Sequence, residues 1–375
     1  MSSGSPARSG LDVQIAVTRE QIRSLADEWS ALPPPVASPC PTAGPAFLEA
    51  WLDTLGRALE PHVVVARRAG RLIGVVPLVS RRERRRDGGR QISLAGSRRP
   101  PVLDMADVSV VPGEEVALAG SIVDALDAAS DRWDTLYLGN IAAGSRTFAA
   151  AAGLMEVRGW IVATRARSAV VMETTGDWED FRRGLGKTLR ESPRRLRALG
   201  RSGRLRFEPG LTGAEGGAAL EQLIDLYRRR WGAGNWLDDP AYRVLMRRMR
   251  EAADPDGARV AGIWIDDRPL ALQLVFRQGD RDHGLLTATD HSPEWARHSP
   301  GALLSYLMAE RAFADSTTEV HMLHTVIPSK LVWTTRFETE LTLVAVSPGA
   351  RKAPALSVPL VEAAITGRRL LMEWR

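Results

Sequence analysis

ARVAGIWIDDRPLALQLVFRQGDRDHGLLTATDHSPEWARHSPGALLSYLMAERAFA, residues 258–314, is the stretch whose reading decides the fold. Its first two apolar runs meet at Asp266-Asp267, the pattern of a β-hairpin with a tight turn. HGLLTATD (283–290) reads as the next strand, with Asp290 at its end beside His291. After a polar loop, Ser299-Pro300-Gly301 opens a helix that runs through GALLSYLMAERAFA. Proline suits a first helical turn and glycine lets backbone approach closely.

Outward from this stretch the rest of the second half falls into place. LRFEP (205–209) reads as a strand. ALEQLIDLYRRRW sets Leu220, Leu223, Ile224, Tyr227 and Trp231 on one helical face, and AYRVLMRRMREA continues as a second helix. EVHMLHTV, SKLVWTTRF and ELTLVAV read as strand, helix and strand. The first half runs in the same order. VQIAV is a strand, and REQIRSLADEWSAL is a helix with Ile22, Leu25, Ala26 and Trp29 at helical spacing. PHVVVARRAGRLIGVVPLV is a hairpin turning at Ala69-Gly70, and Pro112-Gly113 stands where Pro300-Gly301 stands later.

The expectation is an α/β (α+β) chain of two tandem copies, each a mixed, mostly antiparallel sheet flanked by helices. Its divisions are a disordered 1–10, a first domain 11–176, a basic linker helix 177–204, a second domain 205–348 and a tail 349–375 with a short helix. In the linker, Ser192-Pro193 either kinks a helix or caps a new one.

Composition narrows the function. The 375 residues are 44% hydrophobic and 25% charged, long enough for two cores. A single cysteine, Cys40, excludes an internal disulfide and a cysteine metal site. With no apolar leader or membrane-length run, the expected location is the cytoplasm. Three lysines stand against forty-seven arginines, which cluster at Arg81–Arg86 and Arg190–Arg206 and suit phosphates. No aromatics interleave with them, so nucleic acid of the DNA type is not an expected partner. The Gly-x-Ser-x-Gly elbow, the P-loop and the dinucleotide fingerprint are all absent, which leaves hydrolase, NTPase and dehydrogenase readings without support. No histidine or acidic cluster has helical ligand spacing, so no metal is expected.

The element order resembles the GCN5-related N-acetyltransferase (GNAT) fold. GKTLRESPRRLRALGRSGRLRFE, IDLYRRRW, TATD with HSPGALL, and SKLVW together resemble the tandem acetyltransferase-like proteins of cellulose and envelope-polysaccharide biosynthesis. Their relatives, the Fem-type aminoacyltransferases, share these features. The resemblance is strongest from Trp178 to Glu338. Two departures stand out: Ser329 replaces the tyrosine of the family's Tyr-Lys pair, and EVHMLHTV lacks the Asp-Phe and Gly that usually precede it.

The resemblance implies acyl transfer to an amine. Ser299, Pro300, Gly301 and Ala302, with His298, would hold the donor's phosphates at a helix N-terminus. The first copy has Glu114-Glu115 at the matching place, which would satisfy that helix internally and repel a phosphate. Lys330, one of the three lysines, falls on the family's motif lysine and could stabilise an oxyanion. Asp290, His291 and His324 are the acid–base candidates, and His321 and His324 have opposite parity on a strand. Arg190, Arg194, Trp231 and Trp333 are the candidate substrate contacts. The resemblance implies an acyl-CoA as co-substrate, but the usual Gln/Arg-x-x-Gly-x-Gly/Ala donor loop is absent, which points to an acyl carrier protein or an aminoacyl-tRNA rather than free coenzyme A. The acceptor would be the amine of a small molecule or sugar. A catalytically silent assembly role in polysaccharide synthesis is the alternative from another class.

Overall fold

A computed structural model of the chain describes residues 10–35, 44–81, 90–97, 106–130, 133–252, 257–322 and 326–348. Cys40, His324, the basic loop from Arg82 to Arg86 and the tail helix lie outside the described residues. The strands are β1 (Leu11–Ala16), β2 (Leu59–Arg68), β3 (Arg71–Arg81), β4 (Gln91–Leu94), β5 (Ser109–Val110), β6 (Thr135–Ala142) and β7 (Ile161–Glu173). They continue as β8 (Leu205–Leu211), β9 (Ala258–Ile265), β10 (Arg268–Gln278), β11 (Arg281–Thr289), β12 (Glu319–His321) and β13 (Arg336–Val346). The helices are α1 (Arg19–Ser24), α2 (Ala26–Ser30), α3 (Pro45–Asp53), α4 (Glu115–Ala128), α5 (Arg146–Val157), α6 (Trp178–Gly184) and α7 (Lys187–Arg190). They end with α8 (Ser192–Leu199), α9 (Gly213–Trp231), α10 (Pro240–Ala252), α11 (Pro293–Ala296), α12 (Pro300–Ala314) and α13 (Pro328–Leu331). The fold is mixed α/β with a mostly antiparallel sheet, as expected.

The chain forms two compact units: 1–38 with 56–166 and 341–375, and 39–55 with 167–340. These units differ from the contiguous division expected of the sequence, because α3 packs on α10 of the second unit and Asp53 ion-pairs with Arg248 there.

In the first unit the strand order is β1-β2-β3-β4-β6-β13, with β5 on β3. The β2–β3 hairpin turns at Ala69 (φ 49°) and Gly70 (φ 80°), both left-handed, which matches the right-handed twist of the flanking strands. Val63, Val64 and Val65 are buried, as are Val75 and Val76, so these strands are apolar on both faces. The helix expected over 19–32 is two helices, broken at Leu25.

In the second unit the order is β7-β12-β11-β10-β9-β8. Asp266 takes φ 51° to turn the β9–β10 hairpin where the sequence places it. On one face, Leu199 of α8 and Leu303 and Leu304 of α12 pack with Ile263, Leu270 and Ala271. α9 lies against β10 and β11 and buries Leu220, Leu223 and Ile224. Pro193 starts α8 as a new helix rather than kinking an old one. SKLVWTTRF is helical only to Leu331, because Thr335 donates its N–H to the Val171 carbonyl and the chain turns into β13. No helix among the described residues is long and apolar enough to cross a membrane.

Candidate active site

The centre of the second unit is a fork. β11 and β12 run parallel, but their register covers only Arg281–His283 against Glu319–His321. β11 continues to Thr289, while the Met322 N–H extends the pairing of β12 with β7 to the Val170 carbonyl. Among the described residues, no backbone hydrogen bond joins 285–289 to the chain beyond His321. A β-bulge sits where the fork opens: Leu274 pairs with Leu286 and Val275 with Gly284, leaving Leu285 extra. Bulges bend a strand and re-aim its groups. Although β11 is an interior strand, Thr287 is exposed and Gly284 and Leu285 are half-buried. Gln273 pairs across from Thr287, and a Cβ on Gly284 would meet Gln273 Nε2 at 2.4 Å. A side chain at 284 would have to displace that amide.

At the head of the fork stands the N-terminus of α12. Ser299 is its N-cap in the left-handed region (φ 51°, ψ 62°), a strained conformation for a non-glycine residue. Its carbonyl accepts from Ala302 and Leu303, and Pro300 has no N–H to offer. A Cβ on Gly301 would lie 2.8 Å from Thr289 Cγ2, so glycine lets the helix seat against the end of β11. Arg195 of α8 donates to the His298 carbonyl beside it. Its second terminal nitrogen is buried with no hydrogen-bond partner among the described residues. A helix N-terminus with a guanidinium at its side is an arrangement that attracts an anion.

The expected site residues divide into those gathered here and those that are not. His291 Nε2 is 2.6 Å from Thr289 Oγ1. Burial, then the charge of Arg230, lowers its pKa against the opposing pull of Asp290. Arg230 in turn lies over the Trp231 ring at 4.7 Å. Asp290 is held by Arg268 at 2.8 Å and by the Ser292 N–H at 2.9 Å. Burial opposes ionisation of Asp290, but the Ser292 and Arg268 hydrogen bonds outweigh it and hold the carboxyl below its usual range. A carboxylate so held anchors the loop and is a weak base. His298 is lowered by burial, then by Arg297 and Arg195. Lys330 donates to the Met322 carbonyl, on the far side of the fork. Trp333 is a core residue, 3% exposed, in an apolar cluster that also takes in Ala302 and Met322. Arg190 turns away to the Arg183 carbonyl, and Arg194 is exposed.

The first unit offers an internal contrast. Its parallel pair, β4 and β6, registers Gln91–Ser93 against Thr135–Tyr137. Beyond that the chain fills its own gap: Ala106 bridges to Ile141, donates to the Asn140 carbonyl and accepts from Ala142. Glu115 accepts from the Gly113 N–H at 3.0 Å and Glu114 pairs with Arg68 at 2.9 Å. Two carboxylates thus stand at the start of α4, though neither caps a helix amide.

Sequence reasoning missed Arg195, Gln273 and Thr287. Arg195 was legible in the helical spacing of Ser192, Arg195, Leu196 and Leu199, which puts it on the packed face of α8 while Arg194 faces water. Nothing local marks Gln273 or Thr287, whose exposure follows from where β12 stops.

Residues 186–326 match the model of a protein family, the acetyltransferase (GNAT) domain. No curated protein matches the chain. Among solved structures, FemX is similar at 11% identity with a TM-score of 0.57, over 89% of this chain and 96% of that one. A protein of unknown function from Bacteroides thetaiotaomicron has 9% identity and a TM-score of 0.52, over 90% and 100%. A tandem GNAT protein from the clavulanic acid biosynthesis pathway has 14% identity and a TM-score of 0.46, over 90% and 99%. The match places an acetyltransferase (GNAT) domain at 186–326, and the likeness to FemX shows the same kind of fold over most of the chain.

Proposed function

We propose that this GNAT domain belongs to a cytoplasmic N-acyltransferase that moves an acyl group from a thioester to the amine of a small molecule or sugar. The observation that carries the reading is the contrast between the two parallel strand pairs: among the described residues none pairs with β11 on that side beyond His283 in the second unit, whereas Ala106 fills the matching place in the first. The donor's phosphates would meet the start of α12 and Arg195, and its acyl arm would lie along β11 past Thr287. Open strand amides there can receive an extended chain's hydrogen bonds. Lys330 supplies a compact cation at the other wall. The first unit, with its gap closed and two carboxylates standing at its helix start, serves as scaffold or acceptor platform.

Thermal-shift and intact-mass screening against acetyl-CoA, longer acyl-CoAs and bulk tRNA tests this. Saturable stabilisation by an acyl-CoA, abolished by Gly301→Glu, is the expected result; at a hundred times Kd it amounts to about 2.7 kcal/mol. Silence with every acyl-CoA overturns it. A second reading, tRNA-dependent aminoacyl transfer, draws on the likeness to FemX and on the exposed arginines of the linker, such as Arg194. It predicts stabilisation by tRNA that falls steeply with salt.

A further inference from the structure

The linker helix α8 has two unlike faces. Inward, Ser192 and Leu199 are buried, and Leu199 shares an apolar cluster with Leu303 and Leu304 of α12. Outward, the helix carries Arg194 and Arg197, and Arg201 follows on the turn that closes it. All three arginines are exposed. Spaced at i, i+3 and i+7, they form one row about 10 Å long, at about 1.5 Å of rise per residue. Among the described residues none of the three has an ion-pair partner, and Glu191 at the head of the helix pairs with none of them.

The arginines around this row are neutralised. On α6, Arg182 pairs with Glu179 and Arg183 with Asp180. Arg206 pairs with Glu208 on β8, and Arg268 with Asp290 before the start of α12. The uncompensated positive surface is therefore one helix wide. A row of that shape complements the acidic face of another helix, whose carboxylates at the same spacing can each meet a guanidinium. It suits RNA less well. A duplex spreads its phosphates across a groove, and an unpaired end needs rings on which its bases stack. The rings of α6, Trp178 and Phe181, pack instead into an apolar cluster with Tyr306.

The start of α12 gives an independent reason for a second anchor. Pro300 has no N–H, and the Ala302 and Leu303 amides donate to the Ser299 carbonyl. Of its first four positions, only Gly301 keeps an amide for an anion. One amide with Arg195 is a light hold on a phosphate. Arg195 reaches the His298 carbonyl from α8 itself, so the arginine row and the helix start lie on two sides of one helix, about 10 Å across.

We propose that the outer face of α8 docks a small acidic carrier protein whose acyl group hangs on a phosphopantetheine arm. The arm's phosphate meets Gly301 and Arg195, and Arg194, Arg197 and Arg201 hold the protein's body. This rests on the N-acyltransfer reading above and names the form in which its donor arrives. Coenzyme A ends in the same arm, so both donors fit the fork, but only the carrier touches the row. With either donor the neutral amine's nitrogen forms the C–N bond as the C–S bond breaks. The arm leaves as its thiol, with the proton the amine gives up.

Fluorescence anisotropy of a dye-labelled acyl carrier protein of bacterial fatty-acid synthesis, loaded with acetyl, reads the docking on the full chain. Thermal shift with acetyl-CoA runs beside it. Saturable carrier binding that weakens as salt is raised is the expected result. Arg197→Glu with Arg201→Glu should weaken carrier binding by roughly tenfold and change acetyl-CoA affinity by less than about twofold. If that pair does not fold, Arg197→Ala with Arg201→Ala carries the same comparison, with a loss of roughly threefold. Carrier binding that is absent, or equal in the variant, while acetyl-CoA binds as before, overturns the docking face and leaves the acyltransfer reading standing. Binding of neither donor overturns both. Bulk tRNA that displaces the carrier, and loses its own affinity in the same variant, makes the row an RNA surface and overturns the carrier.

Discussion

Replacing Gly301 by alanine places a Cβ 2.8 Å from Thr289 Cγ2, closer than side-chain carbons tolerate. The partner cannot swing away easily. Thr289 is β-branched and buried, and its hydroxyl lies 2.6 Å from His291 Nε2. Overpacking of this kind costs about 1–3 kcal/mol. Against it stands the gain of replacing a helical glycine, roughly 0.5–1 kcal/mol. The net expectation is a loss of about 1–2 kcal/mol, which for a domain of this size lowers Tm by about 2–8 °C. Thr289→Ser removes the clashing methyl and keeps the hydroxyl, so the double variant should recover stability with a coupling of about 1 kcal/mol or more. Denaturant unfolding of the four proteins measures each corner of this cycle. Gly301→Ala as stable as wild type, or no coupling with Thr289→Ser, refutes the claim that the helix is seated on the strand end.

Trp333→Ala should cost about 3–5 kcal/mol by emptying a core site, visible as early unfolding in urea; a stable variant with only a raised KM would move Trp333 into the substrate site. Asp290 has a depressed folded pKa, so its contribution is present above the unfolded value of about 3.9 and is lost as pH falls through the folded one. Asp290→Asn should therefore lower stability at pH 7 by about 1 kcal/mol, given that Arg268 is half exposed, and should flatten the acid limb of the stability curve. An unchanged acid limb would show that Arg268 and Ser292 do not hold this carboxylate.

Much of the fold is legible because its signals are local. The turns at Ala69-Gly70 and Asp266-Asp267 are marked by a break between apolar runs, and Ala69, Gly70 and Asp266 take positive φ there. Pro300 and Pro193 each mark a helix start, since proline fits the first turn and nowhere deeper. What the sequence conceals is set by distant partners. The run EVHMLHTV has strand character throughout, yet β12 pairs with β11 only as far as His321, and Met322 bonds on to Val170 of β7 alone. α3 carries ordinary helical signals, and nothing in them says that it packs on a helix two hundred residues away. The site follows the same rule. Gly301 and Lys330 stood out as single residues, whereas the stacking of His283 on His321 depends on a parallel register between separate strands, which no spacing rule supplies.

A thioester donor bound in the fork of the second unit would shield its strand and helix amides, which hydrogen exchange with and without acetyl-CoA reads residue by residue. The expected result is slowed exchange at 285–289 and 301–303, with 91–94 and 135–142 unchanged. Protection centred on β4 and β6, or none anywhere at saturating donor, would contradict it.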